Sequence, residues 1–176
     1  MVLGEKEIGV IKKLLHDALM AEWRAQGHYM TGKVVEEIDY EINRTFGGVT
    51  ITGLMPAYGG YINEGVSASN IPYSPGSGAG KSKYIEGLIG YVQKRMAIND
   101  LREAKSVAFA IAQTQKRQGM PTIGSYRYSS TGKRTEWVND ALQKNMDKLG
   151  GYIRQFYASY MRSQFQELIV TYSKTI

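Results

Sequence analysis

The sequence predicts an α+β fold: a small antiparallel β-sheet packed against several α-helices, with long extended loops. Three observations carry that prediction. Apolar residues recur at spacings of three and four in several separate stretches, the mark of amphipathic helices. One stretch after Lys33 instead alternates apolar and polar residues, the mark of a half-buried strand. The repeated strand–helix alternation that a parallel sheet requires is missing. The 176 residues are read as one structural domain, 1–176, from which loops 66–82 and 122–134 protrude.

The first helix is expected over 5–26, where Ile8, Ile11, Leu15, Ala18 and either Ala21 or Glu22 form one stripe, and Gly27 supplies the stop. Next, Ile38, Tyr40 and Ile42 alternate with Asp39, Glu41 and Asn43. A turn at Gly47-Gly48 and the β-rich run Val49-Thr50-Ile51-Thr52 complete a hairpin. Its solvated face accounts for Glu36, Glu37, Asp39 and Glu41 without a catalytic carboxylate pair. Residues 66–82, rich in Ser, Gly and Pro, read as a long exposed loop. Helices follow over 83–97 (Ile85, Leu88, Ile89, Val92, Met96) and 101–118, the latter rich in helix-favouring Ala104, Ala108, Ala110 and Ala112. Gly119 and Pro121 end the second of these. Thr122–Arg134 is polar and reads as a second exposed loop. A long helical stripe then runs from Thr135 to about Phe165 through Val138, Leu142, Met146, Leu149, Ile153, Phe156 and Tyr160. Gly150-Gly151 is expected to bend or split it. Leu168-Ile169-Val170-Thr171-Tyr172 is β-rich and is expected to return as a strand beside the hairpin.

Composition removes several function classes. There is no cysteine, so disulfides and thiolate metal sites are out. Acidic residues interrupt the apolar N-terminal stretch, unlike a signal peptide, and no run is apolar for long enough to span a bilayer. The formal net charge is +6, which leaves a surface facing nucleic acid in play. The cations are spread in small clusters, however, with no polybasic tail.

The motif that most suggests chemistry is "SPGSGAGKS" (74–82), which ends like a phosphate-binding P-loop. The pattern G-x-x-x-x-G-K-[ST] would need glycine at the place of Pro75. Proline lacks the N–H and the backbone freedom that the phosphate requires. The buried strand that should precede the loop is absent too. His16 and His28 have no metal-ligand spacing, and no nucleophile elbow occurs. No catalytic residue, metal ligand or cofactor is therefore assigned, and the chain is read as a non-enzyme.

Thirteen tyrosines stand out, many of them in loops or at helix edges. Tyrosine suits interfaces, because it buries apolar area while its hydroxyl tolerates a wet rim. The stretches "AYGGYINEGVSASNIPYSP" (57–75), "YIEGLIGYVQKRMAI" (84–98), "VAFAIAQTQKRQGMPT" (107–122) and "YSSTGKRTEWVNDAL" (128–142) lie in an order that resembles tailed-bacteriophage head–tail connector, neck-ring and tail-completion proteins. The first matches their Tyr-x-x-Tyr-(hydrophobic)-x-x-Gly segment through Tyr58, Tyr61, Ile62 and Gly65. The resemblance implies a virion structural protein of the neck or tail region, assembled in the host cytoplasm as a homo-oligomeric ring, hexamer or dodecamer. Its partners would be a portal or adaptor protein and other neck or tail proteins, without membrane contact. The 66–82 loop is longer and more Gly/Ser-rich than a compact member would carry. Subunit or partner contacts are assigned to Tyr58, Tyr61, Asn63, Tyr73, Lys81, Lys83, Tyr126, Tyr128 and Arg134. Contacts with packaged DNA would fall to Lys94, Arg95, Lys116 and Arg117. The alternative is a non-specific nucleic-acid-binding protein, and a third reading is a P-loop-like nucleotide binder.

Overall fold

In the computed structural model, which describes residues 4–28, 33–45, 48–76 and 82–173, the first helix forms where its period places it. This helix, α1 (Glu5–Ala25), has Glu5 and Glu7 in its first turn and Arg24 in its last, charges that suit the helix dipole. Its buried stripe is Ile8, Ile11, Ala18, Leu19, Glu22 and Trp23. Gly27 follows at φ +78°, where an added Cβ would also collide with the carbonyl oxygen of Tyr128. A single turn, α2 (Lys33–Glu36), buries Val34 and Val35 against Leu19, Trp23, Trp137 and Ala141.

Strands β1 (Asp39–Thr45) and β2 (Gly48–Leu54) pair antiparallel, with Ile42 opposite Ile51. Gly48, expected in the turn, begins β2 opposite Thr45, and Gly47 lies outside the described residues. Because side chains alternate, Ile42, Val49 and Ile51 pack toward Ile8, Ile11 and Leu149. Asp39, Glu41, Thr50, Thr52 and Leu54 are left on the exposed face.

A short helix, α3 (Ala57–Glu64), follows where the sequence predicts no element. Gly59 and Gly60 make its helix propensity poor. Packing overrides this, since Gly59 is buried with Val34 and Met55 closing over it. The 66–82 segment is not exposed throughout. It starts with a bridge between Val66 and Met120, makes a 3₁₀ turn at Ala68–Asn70, then buries Ile71 and Tyr73.

Those two side chains enter a helical hairpin made of α4 (Lys83–Met96) and α5 (Leu101–Gln118). Ser82 caps α4 by accepting from the Ile85 N–H at 3.2 Å, and Asp100 caps α5 through the Glu103 N–H at 2.7 Å. Ala104, Ala108 and Ala112, four residues apart, are fully buried and let the helices approach around Ile85 and Val92. Met96, expected on the buried stripe of α4, is exposed at the helix end. Gly119, at φ +81°, then lets the backbone meet Val66.

After a 3₁₀ turn at Ile123–Tyr128, the chain enters α6 (Trp137–Ser173). This helix overturns two expectations. Gly150 and Gly151 do not interrupt it, and 168–172 continues as helix instead of returning as a strand. A helix already nucleated propagates at small cost per residue, whereas a third strand would pay for a long loop closure. Among the described residues the sheet is two-stranded, and the fold is α+β. Met146, expected on the buried stripe of α6, is exposed.

Two groups of buried side chains result. One joins α1, α2, the hairpin and α6, with Trp23 and Trp137 edge-to-face at 5.0 Å. The other joins α4, α5 and Ile71–Tyr73. The chain crosses between them at the Val66–Met120 bridge and at Asn63, whose carbonyl accepts from Glu136 N and whose Oδ1 accepts from Val138 N.

Candidate interaction surfaces

Among the described residues, large apolar side chains are exposed at Met96 and Leu101 between α4 and α5, at Met146, and in three further regions that also carry tyrosines. The first combines α3 with the outer face of the hairpin. Tyr58 and Tyr61 lie one helical turn apart and both are exposed, Tyr61 by 64%. Leu54 is exposed beside the carboxylates Glu37, Asp39 and Glu41. The Tyr58 hydroxyl faces Glu37 at 3.5 Å; partial burial and that carboxylate push its pKa up.

The second region is the 3₁₀ turn. Ile123 is 76% exposed, and Tyr126 and Tyr128 are exposed beside it. Arg127 places its guanidinium 4.8 Å from the Tyr128 ring centroid and donates to the Tyr128 hydroxyl at 2.7 Å. The segment that follows is pinned to the end of α1 and does not swing free. Ser130 donates from its backbone N–H and its hydroxyl to the Ala25 carbonyl, and Arg134 donates to the carbonyls of Gln26 and Gly27. Arg134 is thus a structural clamp, not an outward contact. Burial lowers its pKa, and Arg95 acts in the same direction, against Tyr91, Tyr126 and Tyr128.

The third region is the distal part of α6. The helix has 37 residues and is roughly 55 Å long at 1.5 Å per residue. Its packing against α1 and the hairpin ends near Phe156. From Tyr157 to Glu167 every residue except Tyr160 is exposed, including Met161 at 50% and Phe165 at 59%.

The sequence-predicted contacts divide accordingly. Tyr58, Tyr61, Tyr126 and Tyr128 are exposed, and so is Lys83. Tyr73 is not: it is 7% exposed and packs near Phe109, because Ile71 and Tyr73 find an apolar groove in the helical hairpin. Asn63 is committed internally, as a cap for α6. Lys81 lies outside the described residues.

The four expected DNA contacts do not converge. Ile85 meets Ala112 while Val92 meets Ala104 and Ala108, so α4 and α5 run antiparallel. Lys94 and Arg95 therefore sit at one end of the pair, and Lys116 and Arg117 at the other, separated by roughly 25 Å of helix. Lys116 is further occupied with the carbonyls of Ser69 and Ile71.

A buried polar cluster escaped the sequence reading. Gln26 Nε2 bridges Glu22 Oε1 at 3.2 Å and Asp140 Oδ2 at 3.3 Å. Lys144 closes on Glu22 at 2.6 Å and Lys133 on Asp140 at 2.8 Å. The hydrogen bond to Asp140 raises the Lys133 pKa. Beside it lies an open depression of about 430 Å³ lined by Lys133, Glu136, Asn139, Asp140, Leu142, Gln143 and Met146. Each carboxylate is neutralised by a lysine, so the cluster works as a clamp between α1, α6 and the loop base. Glu22 on an otherwise apolar stripe was its one sequence signal.

His28 lies against Trp23, ring centroids 4.7 Å apart and planes tilted by 40°, and burial, reinforced by Arg134, lowers its pKa to about 4. Among the described residues, no group of three His, Cys, Asp or Glu is placed to hold a metal, and no helix is long and apolar enough to cross a membrane. Compared with protein-family models, curated proteins and solved structures, the chain matches none.

Proposed function

We propose that the chain is a structural assembly subunit, of the kind that forms a ring at the head–tail junction of a tailed bacteriophage, and that it acts through its surfaces without catalysis. The observation that supports this best is the distal part of α6. A helix of this length gains little from propensity alone, and most helices in proteins are held by tertiary packing of one face. Among the described residues that packing ends near Phe156, and from Tyr157 to Glu167 all but Tyr160 are exposed, Met161 and Phe165 included. A neighbouring subunit or neck partner would supply the missing face. Exposed Tyr58, Tyr61, Tyr126 and Tyr128 add residue types that interfaces favour. A closed ring of identical copies needs two different mating patches on each subunit, which several separate exposed regions allow.

The nucleic-acid alternative has less support, because its cations lie at opposite ends of the α4–α5 pair. The nucleotide-binding reading loses further ground, since the Ser82 hydroxyl caps α4.

Light scattering and negative-stain imaging of the purified chain, alone and mixed with a portal ring, test the proposal. Closed rings, or decoration of the portal, are expected. A chain that stays monomeric and joins no portal or tail ring would overturn it.

A further inference from the structure

Two of the exposed regions complement each other in charge and carry apolar anchors of similar size. On the Ile123–Tyr128 turn, Ile123 and Tyr126 stand beside Arg127, whose guanidinium is stacked on Tyr128. Arg95 and Arg134 add positive charge nearby. On the outer face of the hairpin, Glu41 and Asp39 point to solvent with Leu54 opposite Asp39, and Glu37 and Tyr58 adjoin them. Among the described residues, none of Glu37, Asp39 and Glu41 forms an ion pair.

Among the described residues, Arg127 forms no ion pair with Glu37, Asp39 or Glu41. Tyr128 lies against Gly27 beyond the end of α1, while Ile38 and Met55, which flank the acidic patch, pack toward Leu19 and Trp23 on that helix. The two charged faces are left unpaired with each other and open to a second copy.

We propose that the Ile123–Tyr128 turn of one copy docks on the outer hairpin face of the next, with Arg127 on the Glu37–Glu41 carboxylates and Ile123 on Leu54 and Tyr58. This rests on the reading of the chain as a self-assembling subunit, and it assigns that assembly its two mating faces. Because the faces differ, the contact is head-to-tail, the type that closes into rings. Arginine suits the role, since its planar fork matches a carboxylate and its face stacks on an aromatic ring. A second copy fits better than nucleic acid, because a phosphodiester backbone offers Ile123 no apolar counterpart. Aromatic and arginine side chains are also the usual energetic centres of protein interfaces.

Charge reversal on each face, read by sedimentation velocity at low salt, tests the pairing. R127E alone and E37K/E41K alone should each weaken self-association by roughly tenfold or more, since each brings like charges together. The triple variant R127E/E37K/E41K should recover to within about threefold of wild type, because the reversed faces complement each other again. Mixing R127E with E37K/E41K should give alternating assemblies that neither forms alone. Circular dichroism on each variant checks folding, and recovery in the triple variant answers any folding defect of its parts. Wild-type rings that persist unchanged in both single-face variants would overturn the pairing while leaving the ring reading intact. Wild-type chain that stays monomeric but decorates a portal would overturn the pairing and keep the assembly role. Loss of duplex DNA binding in R127E, without change in self-association, would reassign the turn to nucleic acid and overturn the pairing.

Discussion

Asn63 joins two helices that lie far apart in sequence. The first backbone N–H groups of a helix have no partner inside it, and Asn63 answers one of them at Val138 from the end of α3. N63A should lower stability by about 1 kcal/mol, the usual cost of a lost cap, while N63D keeps the acceptor and should stay close to wild type. Urea denaturation checks this; equal midpoints for N63A and wild type would show that the contact is incidental. His28 gives a pH signature. Its pKa is about 4 in the folded chain against an ordinary 6.5. Between those values the unfolded state binds the proton and the folded state does not, so stability falls as pH drops from about 6.5 toward about 4. H28F keeps a ring on Trp23 but cannot titrate. Its melting temperature should therefore lose less than the wild-type value over that window, and parallel curves would refute the assignment. Neither role was legible beforehand. A lone histidine and a lone asparagine look alike in sequence whether they face water or a helix end 75 residues away.

Helix α6 shows the limit of local propensity more clearly than any other element. Ile169-Val170-Thr171 reads as strand because β-branched residues favour it, yet the segment continues a helix that began at Trp137. The reverse occurs in α3, where two glycines hide a helix that burial selects. The amphipathic helices α1, α4 and α5 were legible because one apolar stripe each matches one packed face. So was the hairpin, from its alternation. Residues 71–73 were not, since Ile-Pro-Tyr within a Gly/Ser-rich stretch reads as loop, and only the groove between α4 and α5 makes it core. Truncation after Phe156 should leave the melting temperature within a few degrees of wild type, because, among the described residues beyond it, 157–167 are exposed apart from Tyr160. The same truncation should abolish assembly. A large fall in melting temperature would mean that the distal helix stabilises its own chain.

For the molecule as a whole, the net charge of +6 is distributed, not concentrated. Lys94 and Arg95 lie far from Arg117, and Arg134 and Lys116 spend their donors on backbone carbonyls. Such an arrangement attracts phosphate weakly and without sequence preference, and the attraction falls steeply with salt. Fluorescence anisotropy with a duplex should therefore show weak binding by the isolated chain, lost as salt rises. Tight binding that survives raised salt would favour the nucleic-acid reading over the assembly one.

The α+β class, four of the helices and the hairpin follow from periodicity, because a 3.6- or 2-residue repeat is a property of neighbours along the chain. The tyrosine supply and the mismatch of "SPGSGAGKS" with the P-loop pattern at Pro75 are likewise readable from residue identities. Which tyrosines are free is another matter. Tyr73 and Tyr126 look equivalent in sequence, but one fills a groove and the other stands in solvent. The pairing of Glu22 and Asp140 through Gln26 and the clamp at Arg134 arise only when distant segments meet. No local pattern encodes such meetings, since they depend on how helices pack and not on what each residue prefers.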